Sequence, residues 1–266
     1  MTLANSAATG VPLVEMRGIS KYFGGIAALR GVDFSVRAGE VVALLGDNGA
    51  GKSTLIKTLS GAQPPDEGEI RISGTPVHLD SPKAAKAAGI ETVYQDLALC
   101  ENLDVVANLF LGRELKRGPL GPFFSFFDGG RMMNEARTLL DRLNIEIPSL
   151  RTAVRHLSGG QRQSIAIAKA VYSQARLIIM DEPTAALGVV QTEKVLRLVR
   201  DLAAAGIAVV YISHIMEDVF KVADRMVVLK NGRRVGERLT AETDRDEIVR
   251  MMITGVDERA GAGAAV

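Results

Sequence analysis

An α/β fold organised around a parallel β-sheet is predicted by three observations. Val41-Val42-Ala43-Leu44-Leu45, Leu177-Ile178-Ile179-Met180 and Ile207-Ala208-Val209-Val210-Tyr211-Ile212 are short, continuous apolar runs. Strands buried on both faces read this way, whereas half-exposed strands alternate apolar and polar residues. Each run also ends in chemistry: a Gly-rich turn after Leu45, Asp181-Glu182 after Met180, and His214 just beyond Ile212. In open α/β sheets, sites gather at the carboxyl ends of the strands.

The remaining elements follow in order. Residues 1–10 are small and polar and read as a frayed tail. Val14 to Val36 and Glu69 to Leu79 read as short strands with Gly turns, and a helical pattern covers Thr54 to Ser60. Asn102 to Ile147 is mostly helical, with a good amphipathic stretch over Arg131 to Leu143. Phe123, Phe124, Phe126 and Phe127 fall in a Gly/Pro-rich stretch. They read as an Ω-like loop packed by its own aromatics, with an exposed docking patch as the alternative. Arg162 to Tyr172 is helical again. Arg225 to Glu237 carries Asn231-Gly232, a hairpin signal. The flanking strands predict an antiparallel sheet beside the parallel one. The Ala/Gly-rich end, 257–266, reads as loose, which leaves 11–256 as one domain.

Composition sets bounds on function. The chain has 266 residues, 47% hydrophobic and 24% charged, enough apolar material for a sizeable core. That argues against a disordered or collagen-like chain. A single cysteine excludes an intramolecular disulfide, and Cys100 reads as a small buried hydrophobe. The net charge of +1 gives no electrostatic case for a nucleic-acid partner. Charges or glycines interrupt every apolar run before the roughly 18 residues a membrane span needs. The start, MTLANSAATGVPLVEMRG, lacks the pattern of a secretory signal. A cytoplasmic location is expected, with any membrane attachment made through a partner.

Gly46-Asp47-Asn48-Gly49-Ala50-Gly51-Lys52-Ser53 matches the P-loop pattern G-x-x-x-x-G-K-[ST], after a strand and before a helix. Glycines let backbone N–H groups turn inward around phosphate oxygens, and the helix N-terminus adds partial positive charge. Lys52 is then the residue for terminal phosphates and Ser53 a ligand for Mg²⁺. Asp181, after its apolar strand, is the expected second Mg²⁺ residue, directly or through water. Glu182 is placed to orient and polarise an attacking water. Leu157-Ser158-Gly159-Gly160-Gln161 precedes a helical stretch and makes a second candidate phosphate-binding helix start. The two starts are far apart in sequence, so two chains could each lend one half of a site.

Gly46 to Thr54, Gln95, Leu157 to Gln161, Leu177 to Glu182 and His214 occur in the order and rough spacing of an ABC-transporter ATPase. The resemblance covers about Leu13 to Gly255. It implies a P-loop NTPase with a RecA-like α/β core, an antiparallel β subdomain, and an inserted helical subdomain over roughly 97–170. It implies a head-to-tail dimer sandwiching two ATP molecules with Mg²⁺, each site joining one P-loop to the other chain's Ser158, Gly159, Gly160 and Gln161. Tyr22 then resembles the aromatic that stacks on adenine, although alone it reads as a strand-end core residue. Gln95 resembles the residue that contacts Mg²⁺ or the attacking water and links the site to a transmembrane partner. His214 resembles the histidine that contacts the γ-phosphate. Glu182, His214, Lys52 and Gln95 are the catalytic set that this resemblance implies.

Within that family the chain is most similar to ATPases of bacterial monosaccharide importers of the ribose, xylose and fructose type. The residues behind this are Val93 to Leu99, Glu101 to Glu114, Pro183 to Leu187 and Tyr211 to His214. The implied partners are transmembrane permease subunits and, indirectly, a periplasmic sugar-binding protein, at the cytoplasmic face of the inner membrane. One departure stands out: Gly188 occupies the position where most of the family has Asp. The alternative is a soluble ATPase of the same type acting on nucleic acid or ribosomes. Leu55 to His156 lacks the sustained heptads of DNA-repair relatives, and ribosome-acting relatives usually hold two ATPase domains.

Overall fold

The computed structural model describes residues 10–117 and 126–259. Two long strands open the chain, β1 (Val14–Phe23) and β2 (Ile26–Val36), followed by β3 (Val41–Leu45) and helix α1 (Lys52–Leu59). Next come β4 (Glu67–Ile72), β5 (Thr75–Val77), α2 (Pro82–Ala87) and β6 (Ile90–Val93). The middle holds α3 (Val105–Phe110), β7 (Lys116–Arg117), β8 (Phe126–Phe127), α4 (Gly129–Arg142) and α5 (Gly159–Tyr172). The last third alternates β9 (Leu177–Asp181), α6 (Val189–Ala204), β10 (Ala208–Ile212), α7 (Met216–Val222) and β11 (Arg225–Lys230). It closes with β12 (Arg233–Leu239) and α8 (Arg245–Thr254).

The three apolar runs become adjacent central strands. The main sheet has the order β12-β11-β3-β10-β9-β6. From β11 to β6 every pairing is parallel, and only β12 runs antiparallel at the edge. The second sheet, β2-β1-β4-β5, is antiparallel throughout.

Alternation along the buried strands separates two cores. Val41, Ala43, Leu45, Ile178, Met180, Val209 and Tyr211 face one core, with apolar residues of α3 to α8. Val42, Leu44, Ile179, Val210 and Ile212 face the other, with α1, α2 and the antiparallel sheet. Each fully buried Leu, Ile or Val side chain contributes about 1.5–3 kcal/mol relative to exposure. A buried ion pair joins the sheets at their edge. Arg225 on β11 donates to Glu40 at 2.8 Å and to the Ser35 carbonyl at 2.7 Å.

The structure corrects several expectations. Arg225 to Glu237 does not join the antiparallel sheet. Its first half, β11, pairs parallel to β3, because α7 carries the chain back to the start of the sheet before the strand begins. The strands of Val14 to Val36 are not short: β1 has 10 residues and β2 has 11. Cys100 is exposed, not buried. Its backbone N–H and C=O are both held by the Asn108 side chain, and the thiol lies outside that contact. The self-packed aromatic loop does not hold for the described pair, since Phe126 is 76% and Phe127 is 63% exposed. Phe123 and Phe124 lie outside the described residues. Asp257 and Arg259, in the stretch read as loose, pair with Arg238 and Glu247.

Candidate active site

The Gly-rich turn leaves β3 at Gly46 and enters α1 at Lys52. Gly46 has φ +145° and Gly51 has φ +106°, conformations that L side chains rarely adopt. A Cβ on Gly46 would also collide with the Leu229 carbonyl and come within 2.9 Å of the Ala50 methyl. These glycines therefore set the loop's path. Gly232, in the β11–β12 turn, donates to the Ala50 carbonyl at 3.0 Å and braces the loop from outside. No side chain caps the N-terminus of α1. Its leading N–H groups are left for water or a ligand, and they lie where an anion is favoured.

The Lys52 ammonium folds back across this loop, donating to the Gly46 carbonyl at 2.5 Å and the Asp47 carbonyl at 3.0 Å. Partial burial lowers its pKa, with Glu182, Asp47 and Asp181 acting in the other direction. A half-desolvated cation at the uncapped N-terminus of a helix is suited to an anionic, phosphate-bearing ligand. Asp181, the last residue of β9, is half-buried. Desolvation first, and the Glu182 charge second, push its carboxyl up, while Lys52 opposes them. Ser53, the second residue of α1, is exposed beside Lys52.

Strand order brings Glu182 and His214 together. Asp181 pairs with Ile212 across β9 and β10, so the residues that follow both strands emerge side by side. The Glu182 N–H donates to the Ile212 carbonyl at 2.9 Å. His214 Nδ1 lies 2.9 Å from Glu182 Oε1. Glu182 Oε2 is buried with no hydrogen-bond partner among the described residues. That orphaned acceptor is a place for one donor, such as a water. Glu182 also has φ +49°, left-handed for a non-glycine residue. Such backbones cluster at functional sites, where the surroundings over-determine them.

Gln95 lies just past β6, which pairs with β9 through Val93 and Met180, so it flanks the end of the strand that carries Asp181. Tyr22 lies on β1 opposite Ala27, and the neighbouring Ala28 carbonyl would be 3.0 Å from a Cβ on Gly51. Tyr22 is exposed, and its hydroxyl is 3.4 Å from Glu67. It does not sit in the core as a strand-end residue would.

The Leu157 to Gln161 segment is elsewhere. Ser158 is the N-cap of α5 and forms a capping box with Gln161. The Gln161 side chain accepts from the Ser158 N–H at 3.0 Å, which commits its oxygen within the chain. The helix begins at Gly159 rather than Arg162. Ser158, Gly160 and Gln161 line an open cleft of about 1200 Å³ together with Gln191 and Lys194 of α6. No residue of the Gly-rich loop lines it. The Ser158–Gln161 segment and the Gly-rich loop therefore lie apart within one chain.

Sequence reasoning missed Gln191. A Cβ on Gly160 would lie 2.8 Å from Gln191 Cβ, and one on Gly188 would lie 2.8 Å from Gln191 Oε1. Both glycines make room for this one side chain. Only the fold reveals the contact, because Gly160 and Gln191 belong to different helices.

Comparison with known proteins adds to this geometry. The family model for ABC transporters matches residues 29–185. The chain is 47% identical over 240 residues to the xylose/arabinose import ATP-binding protein XylG of Sulfolobus acidocaldarius, covering 90% of this chain and 93% of that protein. It is 47% identical over 226 residues to the fructose import ATP-binding protein FrcA of Rhizobium meliloti, covering 84% and 87%. With the ribose import ATP-binding protein RbsA 1 of Rubrobacter xylanophilus it shares 49% identity over 242 residues, 91% of this chain but 47% of that protein. The chain thus spans about half the length of that last relative. Among solved structures, a nucleotide-free ATP-binding cassette from an ABC transporter superposes with TM-score 0.77 at 26% identity, covering 93% of this chain and 96% of that one. A dimeric post-hydrolysis cassette bound to ADP and Pi gives TM-score 0.71 at 28% identity, covering 85% and 98%. A family model that spans both the glycine-braced loop and the strand end at Asp181, with relatives this similar along most of the chain, makes this protein a member of the ABC transporter family.

Proposed function

We propose that this chain is the ATP-hydrolysing subunit of an importer that takes up a monosaccharide through transmembrane permease subunits. The observation that carries the chemistry is the meeting of Lys52, Asp181, Glu182 and His214 at the carboxyl ends of neighbouring strands. The sugar-importer reading is supported by the relatives named for xylose/arabinose, fructose and ribose import. The protein works as a head-to-tail dimer, since Ser158 to Gln161 stand apart from the Gly-rich loop of their own chain. It sits peripherally at the cytoplasmic face of the membrane. No helix among the described residues is long and apolar enough to cross a membrane. The periplasmic sugar-binding protein is an indirect partner, and no nucleic acid is involved.

In this reading, residues 46–54 wrap the phosphates with backbone N–H groups, and Tyr22 packs against the base. Lys52 exchanges its two carbonyl partners for terminal phosphate oxygens. Ser53 and Asp181 hold Mg²⁺, with Gln95 contacting it or the attacking water. This is a hard-oxygen set with few protein ligands, as Mg²⁺ beside phosphates prefers. When bound, that ion neutralises charge on the phosphates. Glu182 accepts a proton from the water that its buried Oε2 orients. His214, its Nδ1–H held by Oε1, donates from Nε2 toward the transferring phosphoryl group as the imidazolium, the form in which both ring nitrogens are donors. Ser158, Gly159, Gly160 and Gln161 of a second copy close the site through the N-terminus of α5. Catalysis is positioning plus electrostatics. Dimer closure driven by ATP moves the permease through the Gln95 region and the helical unit over roughly 97–170.

The test is purification of the tagged chain from its native membranes, with mass spectrometry of what accompanies it and an ATP hydrolysis assay. A permease and Mg²⁺-dependent turnover are expected. Ribosomal or DNA-repair partners without a permease would overturn the transport reading. Absence of turnover in the assembled complex would overturn the enzyme reading.

A further inference from the structure

Beneath the Glu182–His214 pair lies a buried polar chain. Thr184 Oγ1 donates to Asp218 Oδ2 at 2.7 Å and lies 3.3 Å from the Tyr211 hydroxyl. All three residues are buried. The direction of the bonds follows from the proton count. Thr184 has one hydroxyl proton and Asp218 can only accept it, so Tyr211 must donate to Thr184. The chain runs from Tyr211 through Thr184 to the Asp218 carboxylate. Burial first pushes the Tyr211 phenol up, the Thr184 hydrogen bond opposes it, and the Asp218 and Glu182 charges add to the rise, which keeps that proton in place.

The position of this chain in sequence gives it meaning. Thr184 is two residues after Glu182, across Pro183. Tyr211 is three residues before His214, on β10, and Asp218 is four residues after it, on α7. The network therefore clamps the segment carrying Glu182 to both flanks of His214. Glu182 needs such a clamp. Its left-handed backbone is strained and persists only where the surroundings hold it. Its own N–H bond to Ile212 fixes one point, and the anchored Thr184 fixes the other side of Pro183. An apolar core would serve packing equally well here. A buried carboxylate is costly to desolvate unless it is paired and hydrogen-bonded.

We propose that Thr184, Tyr211 and Asp218 are positioning residues that set the register of Glu182 against His214. The proposal rests on the role given above to that pair.

The experiment uses the full chain with Thr184→Val, Thr184→Ser and Tyr211→Phe. Steady-state hydrolysis of Mg²⁺-ATP is measured, together with the ¹⁵N signals of the His214 ring without nucleotide. Thr184→Val keeps the shape and removes the hydroxyl. It is expected to lower kcat about tenfold or more with KM within about twofold, since displacements near 1 Å can cost 10²-fold. Its His214 ring signals should leave the hydrogen-bonded Nδ1 pattern. Thr184→Ser restores the hydroxyl and should return both readouts to near wild type. Tyr211→Phe removes only the outer donor and should move both in the same direction by less. If Thr184→Val does not fold, Tyr211→Phe decides by the same two readouts. Wild-type kcat and ring signals in Thr184→Val overturn the proposal. So does a loss that Thr184→Ser fails to restore, which would mark a packing role. A wild-type chain without turnover would instead defeat the enzyme reading, and the ring signals would still decide the network.

Discussion

His214 Nδ1 lies 2.9 Å from Glu182 Oε1, while the other oxygen of the same carboxylate is buried with no hydrogen-bond partner among the described residues. One carboxylate thus faces two tasks. The first oxygen holds the imidazole. The second is a buried acceptor without a partner among those residues, the oxygen that the proposed role as general base would use. Glu182→Gln leaves the shape intact and replaces one acceptor with an NH₂ donor. Hydrolysis should fall by about 10²-fold or more, the usual weight of a positioned base. ATP binding should survive, and an ATP-dependent dimer should accumulate. Size-exclusion chromatography with and without ATP, alongside a phosphate-release assay, checks this. Turnover near wild type would remove Glu182 as the base.

Asp181 is held at a cost to stability, and the sign of that cost can be worked out. Desolvation, then the Glu182 charge, raise its folded pKa above the ordinary 3.8. Between the unfolded and folded values the folded state binds more protons, so stability falls as pH rises through that window. The full penalty persists above it. Asp181→Asn should therefore raise the melting temperature near neutral pH, measured with chelator and no nucleotide. The gain should vanish once the pH drops below the ordinary carboxylate range. Lys52 loses a neighbour in this variant, but Asp181 is the smallest of the three carboxylate influences on it. A difference that does not change with pH, or a less stable variant at neutral pH, would refute the argument.

Gly188 is the N-cap of α6, with φ −75° and ψ 166° and no side-chain hydrogen bond. An Asp fits that backbone and would accept from a first-turn N–H, worth a few tenths of a kcal/mol over Gly. The first turn of α6 also lacks an acidic residue, so the helix dipole adds about 0.3–1 kcal/mol. The obstacle is Gln191 Oε1, 2.8 Å from the new Cβ, which is the far end of a flexible side chain. Gly188→Asp should raise the melting temperature by about 1–4 °C. A lower value, cured by adding Gln191→Ala, would show that the collision outweighs the cap.

The sequence made the central strands legible because burial on both faces leaves an unbroken apolar run, as at Val41 to Leu45. The Gly-rich loop was legible because its glycines and Lys52 serve local geometry within eight residues. What stayed hidden was non-local. The parallel pairing of Arg225–Lys230 with β3 is set by a crossover, while the Asn231-Gly232 turn advertises only the antiparallel partner. The Thr184–Asp218 bond joins residues 34 apart, and neither carries a signal of it in sequence. Cys100 was misread because composition says how often a residue type is buried, not where a given loop turns it.

Asn108 offers a stability test with a functional consequence. It is fully buried on α3. Its Oδ1 accepts from the Cys100 N–H at 2.7 Å, and its Nδ2 faces the carbonyls of Cys100, Leu103 and Asp104 at 3.0, 3.2 and 3.0 Å. That one amide holds the loop over residues 100–104. The loop in turn pairs with 153–155, through Val154 N–H to Leu103 and Arg155 N–H to Glu101, immediately before Ser158. Asn108→Ala removes every one of these bonds and leaves a gap, at about 2–4 kcal/mol. A lower urea midpoint with an unchanged slope should report it. Asn108→Asp is the sharper probe. Its carboxylate can still accept from Cys100, but its second oxygen meets three carbonyl oxygens where a donor stood. At neutral pH it should be at least as damaging as Ala. As the pH falls and the carboxyl gains a proton, it regains one donor and stability should return. An Asp variant as stable as wild type at neutral pH would mean that the loop is held by its pairing with residues 153–155 and not by Asn108.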